Sequence, residues 1–159
     1  MAIENLNRQN TEGSRAYGLH RPVTASSSAS VQLTEGDSGG VFLLDRATVT
    51  YTLPATPVVG TTYTFVSTIS GDGGSQQVNA SATSGAIFLL GSVNFAVDAA
   101  ATGEAHLANG TSHVGIDLVS DETGAIIGGS FTVTCLTSTI WNITGLLNAS
   151  GTMTNPFTT

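Results

Sequence analysis

Hydrophobic residues recur at every second position in several short stretches of this chain. Within residues 47–53, Val49 and Tyr51 alternate with threonine residues, and a similar alternation runs through residues 61–69, with Tyr63, Phe65 and Ile69 on one face. Because side chains of a β-strand point alternately to its two faces, this period of two predicts strands with one face against a core. Shorter apolar stretches predict further strands at 41–44, 76–82, 86–90, 93–97 and 114–118.

The clearest pattern lies near the end of the chain. Residues 131–135 alternate apolar side chains with threonine, residues 136–139 form a polar turn, and Trp141 and Ile143 share one face of the returning stretch. This arrangement predicts a β-hairpin with Trp141 in the core, and Gly145 predicts a bend or bulge. The alanine-rich stretch 96–108 contains Gly103 and has a weak apolar period, which disfavours a helix.

These segments follow one another at intervals of about 8–14 residues, with glycine-rich turns between them and no helical pattern. The sequence therefore predicts an all-β fold, an antiparallel β-sandwich or a barrel of the jelly-roll kind. Glycine contributes 19 of the 159 residues, and valine and threonine are common. This composition favours short strands joined by tight turns.

Charge is scarce and unevenly distributed. Charged residues make up 9 % of the chain, with four arginines, no lysine and eleven acidic residues, for a net charge of −7. From residue 47 to residue 159 there are six acidic residues and no basic one. The body therefore lacks the basic surface that nucleic acid requires, and the chain has no lysine for a P-loop or a Schiff base.

The same composition limits other classes. No apolar stretch approaches the roughly 18 residues that span a bilayer, so no membrane partner is expected. The first residues, MAIENLNR, lack an apolar signal core, so secretion is not expected. Cys135, the single cysteine, excludes an intrachain disulfide framework and suits synthesis in a reducing cytoplasm.

Residues 1–30 differ from the rest of the chain. They are polar, carry three of the four arginines and end in the serine-rich run 24–30, which predicts an extended linker. The predicted organisation is an extended N-terminal arm over 1–30 and a single β domain over 31–159 with a short C-terminal tail. Because such an arm cannot be held by its own burial, we expect it to lie on a sister protomer or a partner. Its predicted binding residues are Arg8, Arg15, Tyr17, His20 and Arg21.

Residues 36–40 spell GDSGG, the stretch around the nucleophile of chymotrypsin-like serine proteases. A serine nucleophile needs a histidine base, a group that orients it and an oxyanion hole. In that family the histidine and aspartate precede the serine in a two-barrel domain, whereas Ser38 has only His20 before it. The sequence therefore predicts a turn ahead of a strand rather than a catalytic site.

Other candidate chemistry is equally weak. His113 and Asp117 share a strand face but lie about 13 Å apart at ordinary strand rise, and His106 is placed in a loop, so a zinc site is not expected. Acidic turns could bind calcium, but no EF-hand spacing is present. Asp117, Asp121 and Glu122 show no sign of facing one another across a cleft, as glycosidase carboxylates do. We therefore predict no enzyme activity, no catalytic residues, no metal and no cofactor.

Two blocks of sequence carry a family resemblance. The first comprises SGGVFLLD (38–45), VTYTLP (49–54), Gly60 and YTFV (63–66), and the second comprises FTVTC (131–135), WNITG (141–145), Gly151 and a closing Pro156-Phe157. Their order resembles that of the β-rich structural domains found in head decoration (cement) proteins of tailed bacteriophages and sometimes in fibres. The resemblance covers most of residues 31–157 and is weaker over 70–128.

This resemblance implies a non-enzymatic virion protein, commonly a homotrimer, that binds the major capsid protein on the outer capsid surface. Such a protein would be made in the host cytoplasm and would stabilise contacts between capsomers. Three alternatives remain open: a phage fibre, spike or host-surface glycan-binding module, a bacterial surface or pilus-like subunit, and an enzyme. A glycan-binding module should show an exposed aromatic patch.

Overall fold

The computed structural model describes residues 21–81, 86–97 and 103–159. Within them, helical structure is limited to two single 3₁₀ turns, Glu35–Asp37 and Asp121–Thr123. The remaining regular structure is β. The strands are Val23–Thr24 (β1), Ser30–Gln32 (β2), Val41–Leu44 (β3), Thr48–Thr52 (β4), Thr62–Ser67 (β5), Ser75–Asn79 (β6), Phe88–Val97 (β7), Ala105–Asn109 (β8), Gly115–Leu118 (β9), Ile126–Thr137 (β10), Ile140–Ala149 (β11) and Phe157–Thr158 (β12).

The strands form two sheets that pack face to face as a sandwich, which confirms the predicted all-β class. The large sheet has the strand order β1-β3-β5-β10-β11-β7-β8, and the small sheet has the order β12-β9-β6-β4-β2. Both sheets are mixed rather than antiparallel throughout, because β1, β3 and β5 pair in parallel, as do β2, β4 and β6. From β1 to β6 the chain alternates between the two sheets. Each return to a sheet therefore runs in the same direction as the previous visit.

The period-two pattern explains which side chains fill the core. Trp141, Tyr51, Tyr63 and Phe65 are fully buried, so the core position predicted for Trp141 is confirmed. Their rings form one connected cluster between the sheets. Tyr63 lies 5.7 Å from Trp141, and Phe65 stacks on Phe131 at 5.2 Å between ring centroids. Burial of such large rings is a major favourable contribution to folding.

One inward position of the small sheet is polar. Gln76 is 1 % exposed. Its Nε2 donates to the carbonyl oxygens of Arg46 at 2.9 Å and Ile69 at 3.3 Å, and the Ser67 hydroxyl donates to its Oε1 at 3.3 Å. This amide pairs carbonyl groups of two connecting loops that would otherwise be buried without partners.

Three local predictions were wrong. β7 is one continuous strand over Phe88–Val97 instead of two short ones, since Gly91, at φ 130°, passes so close to β11 that a Cβ would lie 2.2 Å from a carbonyl oxygen of Ile143. His106 lies in β8 rather than in a loop. Ile69 is 38 % exposed, because β5 ends at Ser67 and the alternation stops there.

The described part of the segment predicted as an arm contributes to both sheets. β1 pairs with β3 in the large sheet, and β2 begins at Ser30 in the small sheet. Between these strands, the backbone N–H and the hydroxyl of Ser26 donate to the carboxylate of Asp45, and Arg46 Nε donates to the Ser26 hydroxyl at 3.0 Å. Residues 21–30 are therefore attached to the sandwich by strand pairing and by side-chain hydrogen bonds.

Candidate docking face

The large sheet is free of formal charge along all seven of its described strands, which contain no Asp, Glu, Lys or Arg. Its outward side chains are aligned across the sheet by the strand register. The central row runs Val41, Thr64, Thr132, Thr144, Ser92 and Leu107. Hydroxyl groups in this row bond to one another, with 3.0 Å between the Thr64 and Thr132 oxygens. We call this outward surface of the large sheet the neutral face.

Three leucines project from one half of the neutral face. Leu107 on β8 is 69 % exposed, Leu146 on β11 is 52 % exposed and Leu90 on β7 is 41 % exposed. These three strands are neighbours in the sheet. Single exposed leucines are ordinary on protein surfaces, but a group on adjacent strands without intervening charge is typical of a surface that another protein covers.

These leucines were absent from the predicted site residues. The signal was present in the sequence, because Trp141 and Ile143 fix the inward parity of this stretch and so place Leu147 inward and Leu146 outward. No comparable parity was established for Leu90 and Leu107, since the length of β7 and the existence of β8 were not predicted.

The outward side of the small sheet has a different chemistry. Asp117 lies on β9, next to the central strand β6, and its two carboxylate oxygens accept hydrogen bonds from Ser75 Oγ at 2.8 Å and Gln77 Nε2 at 2.7 Å. No large hydrophobic side chain is exposed on the described strands of this sheet. Since its polar groups bond to one another and carry a charge, this side is suited to remain in water.

The other charges of the described residues lie in loops at the two ends of the sandwich. At one end, where β3 and β5 finish and β10 begins, the loops carry five acidic residues and one arginine: Asp45, Arg46, Asp72, Glu104, Asp121 and Glu122. We call this the acidic end. Backbone contacts such as that from Gly71 N to Ala125 O, at 2.9 Å, hold its loops together. The opposite end carries Arg21, Glu35 and Asp37.

Of the five predicted binding residues, Arg21 falls within the described residues. Its Nε donates to the Gly39 carbonyl at 2.9 Å, and its Nη2 donates to Thr64 Oγ1 at 2.8 Å. The guanidinium is therefore bound to its own chain and reaches the neutral face at Thr64, a residue of the central row. The other four, Arg8, Arg15, Tyr17 and His20, lie outside the described residues.

The GDSGG stretch forms the turn that the sequence predicted. The carboxylate of Asp37 accepts hydrogen bonds from Thr34 N at 2.9 Å and from Thr34 Oγ1 at 2.7 Å, which closes the 3₁₀ turn ahead of β3. The hydroxyl oxygen of Ser38 accepts the backbone N–H of Thr62 at 3.1 Å. Each polar group of the stretch thus has a structural partner that explains its presence.

The two described histidines also have structural partners. The ring of His106 packs edge-on against Phe95 at 5.2 Å, and the ring of His113 packs on Phe157 at 5.5 Å. The Nδ1 of His113 accepts the backbone N–H of Asn109 at 3.0 Å. In the ranges that the structure describes, no three His, Cys, Asp or Glu side chains come together as metal ligands would.

A groove of about 470 Å³ opens at the acidic end, lined by Ala96, Val97, Asp121, Ile126, Asn148, Ala149 and Ser150. Asp121 is the single carboxylate of this lining, and Ser150 Oγ donates to it at 3.4 Å. The lining contains one carboxylate instead of the facing pair that glycoside hydrolysis requires.

Comparison with known proteins gave no further constraint: no family model, curated protein or solved structure matches the chain. Among the described residues, no helix is long and apolar enough to cross a membrane. We therefore infer the function from the surfaces of the sandwich.

Proposed function

We propose that this chain is a head decoration protein of a tailed bacteriophage, made in the host cytoplasm and bound as a homotrimer to the major capsid protein on the outer capsid surface. The observation that carries the proposal is the neutral face, a broad sheet surface with exposed leucines on adjacent strands and no charged residue in those strands. A surface of this kind is suited to burial against protein. The sequence resemblance supplies the identity of the two partners, a sister protomer and the major capsid protein.

The distribution of charge supports a division of labour within the chain. The described loops at the acidic end, and Asp117 on the small sheet, suit surfaces that stay in water. Arg8 and Arg15 precede the sandwich and carry positive charge that residues 47–159 lack. In the proposal, the N-terminal segment binds the capsid or a sister protomer through these arginines, with Tyr17 and His20 in the same contact. Several copies on one head gain avidity from many modest contacts.

The alternative function, a fibre or glycan-binding module, requires an accessible aromatic ring on which a sugar can stack. In the part of the chain that the structure describes, the aromatic side chains are buried or, in the case of Phe88, half-buried. No observation on the described surfaces favours this alternative, so decoration of the head is the function we propose.

Electron microscopy of the virus that carries this sequence tests the proposal. Particles labelled with an antibody against the purified chain should show label over the whole head surface. Label restricted to the tail or to fibres would overturn the assignment to the head. Heads that lack the protein should also lose DNA at lower temperature than wild-type heads, and should recover when the purified chain is added back.

The N-terminal contact requires its own variant. A deletion of residues 2–20 spares Arg21, β1 and Ser26, which belong to the sandwich. This deletion and the double variant Arg8→Ser/Arg15→Ser should both reduce binding to heads at least tenfold, whereas the matched charge removal Glu35→Gln in an exposed loop should not. Unchanged binding by the deletion variant would show that the segment has no part in attachment.

A further inference from the structure

We infer that the neutral face is the seam between copies of this chain. The inference deepens the proposed function, since it rests on the self-association within it and assigns that contact to a particular surface. The partner is a second copy of this chain, and the contact is made by the outward side chains of β5, β10, β11, β7 and β8.

Electrostatic repulsion between copies favours a seam without acidic residues. Each chain carries a net charge of −7, so association of copies brings together molecules that repel one another. Copies related by a closed symmetry axis turn the same surface toward that axis, so an acidic residue there would approach its equivalents in the other copies or lose water without a counter-ion. The small sheet presents Asp117, and both ends of the sandwich carry acidic residues. The strands of the neutral face carry no acidic residue, and the charge bound at this face, the Arg21 guanidinium on Thr64, is of the opposite sign.

The area of the neutral face also fits a stable contact between copies. The five strands of the seam, spaced by about 4.8 Å, give a width of roughly 24 Å, and their lengths of five to twelve residues give a mean length of about 28 Å. The resulting area of about 670 Å² lies within the roughly 600–1,000 Å² that each partner buries in an ordinary stable interface. The face is therefore large enough to hold two copies together without help from another surface.

The side chains of the neutral face are also suited to burial in a seam. The leucines Leu90, Leu107 and Leu146 would lose their contact with water in a seam, which is favourable in proportion to the apolar area buried. The surrounding threonine hydroxyls can keep their hydrogen bonds, because Thr64 and Thr132 already bond to each other. Burial of this pair thus leaves neither of its hydroxyls without a partner.

Site-directed cross-linking tests the seam directly. Thr144 lies in the central row of the neutral face, and Thr48 is an exposed threonine on the outward side of the small sheet. The native Cys135 is 1 % exposed, and burial raises the pKa of its thiol, so it should not react in the folded protein. A short bis-maleimide should cross-link Thr144→Cys between chains and leave Thr48→Cys uncross-linked. The reverse pattern, or equal cross-linking of both, would overturn the inference.

Charge insertion gives an independent measurement. Leu107→Asp and Leu146→Asp place a carboxylate on the neutral face, and Val59→Asp places one in a loop at a side chain that is 67 % exposed. Sedimentation of the purified chains should show an oligomer for the wild type and for Val59→Asp. It should also show an at least hundredfold weaker association for both leucine variants. A cooperative unfolding transition in each variant would confirm that all of them fold.

Two results of the sedimentation experiment would overturn the seam. The first is a wild-type chain that is monomeric at micromolar concentration. The second is an oligomer that persists in both leucine variants. If that oligomer dissociates when residues 2–20 are deleted, the contact belongs to the N-terminal segment. The measurements use purified protein without heads, so failure of the seam is distinct from failure of head binding. An intact oligomer that does not bind heads would refute the proposed function alone.

Discussion

Gly145 lies in the middle of β11, between Phe131 of β10 and Val93 of β7. Its position in the sequence predicted a bend or bulge, but the strand register passes through it without a shift. Glycine is present here for reasons of space. A Cβ built at this residue would lie 2.4 Å from the Cβ and 2.7 Å from the Cα of Phe131, and 2.6 Å from the carbonyl oxygen of Ser130.

The substitution Gly145→Ala should therefore destabilise the sandwich. The atoms that the new methyl group would meet belong to the backbone of β10 or to a Cβ, so no side-chain rotation can move them away, and the two strands must separate locally. Overpacking of this kind costs about 1–3 kcal/mol, and weakening of adjacent ladder hydrogen bonds adds about 1 kcal/mol. A loss of about 3 kcal/mol corresponds to a fall in unfolding temperature of about 10 °C in a chain of this size.

Differential scanning calorimetry of the wild type, Gly145→Ala and Gly36→Ala measures this effect. Gly36 is the matched control, because a Cβ there has Thr34 Oγ1 at 3.6 Å as its nearest neighbour, an ordinary contact, and its φ is not positive. Gly36→Ala should change the free energy of unfolding by less than about 0.5 kcal/mol. Equal unfolding temperatures for Gly145→Ala and the control would refute the close approach of β10 and β11.

Three further predictions concern the interior. Replacing Gln76 by leucine removes the amide that pairs with Arg46 O and should lower the free energy of unfolding by about 2 kcal/mol in urea titrations; an unchanged value would contradict the pairing. Burial, with smaller contributions from nearby carboxylates, raises the pKa of Tyr51 and of Tyr63 to about 12. Tyrosines of the unfolded chain ionise near pH 10, so the unfolded state binds fewer protons above that pH and stability falls as pH rises from 10 to 12. The slope should reach at most about 1.4 kcal/mol per pH unit for each tyrosine. The double variant Tyr51→Phe/Tyr63→Phe should show a shallower fall in the free energy of unfolding, and equal slopes for the variant and the wild type would refute the assignment. Finally, Cys135 should resist iodoacetamide in the folded protein and react in urea, and rapid labelling without denaturant would contradict its burial.

Local pattern was enough to predict several of the strands that have one buried face. The alternation around Val49 and Tyr51, the alternation around Phe65 and the hairpin that carries Trp141 all correspond to strands of the structure. The turn at residues 36–40 was predictable as well, because aspartate and serine side chains bond to nearby backbone in ways that favour turns. The all-β class follows from the number and spacing of these segments.

The hydrophobic pattern did not predict which strands pair with one another. A period of two says which face of a strand is buried, but it does not say which strand lies beside it or in which direction. The parallel pairing of β11 with β7 joins segments more than forty residues apart, and β8 is visible only as the neighbour of β7. Likewise, Gln76 looks like an ordinary polar residue until the loops whose carbonyl groups it pairs are brought around it.

The sequence alone therefore determined the fold class, the scarcity of charge and the identity of many core residues, because each depends on composition or on neighbours along the chain. Tertiary structure decided which uncharged strands stand side by side, since that depends on contacts between distant segments. The neutral face exists because the strand order of the large sheet places Leu90, Leu107 and Leu146 on adjacent strands, while the acidic residues lie outside the strands of this sheet. The sequence shows that charge is absent from these stretches, and the sheet order turns that absence into a continuous surface.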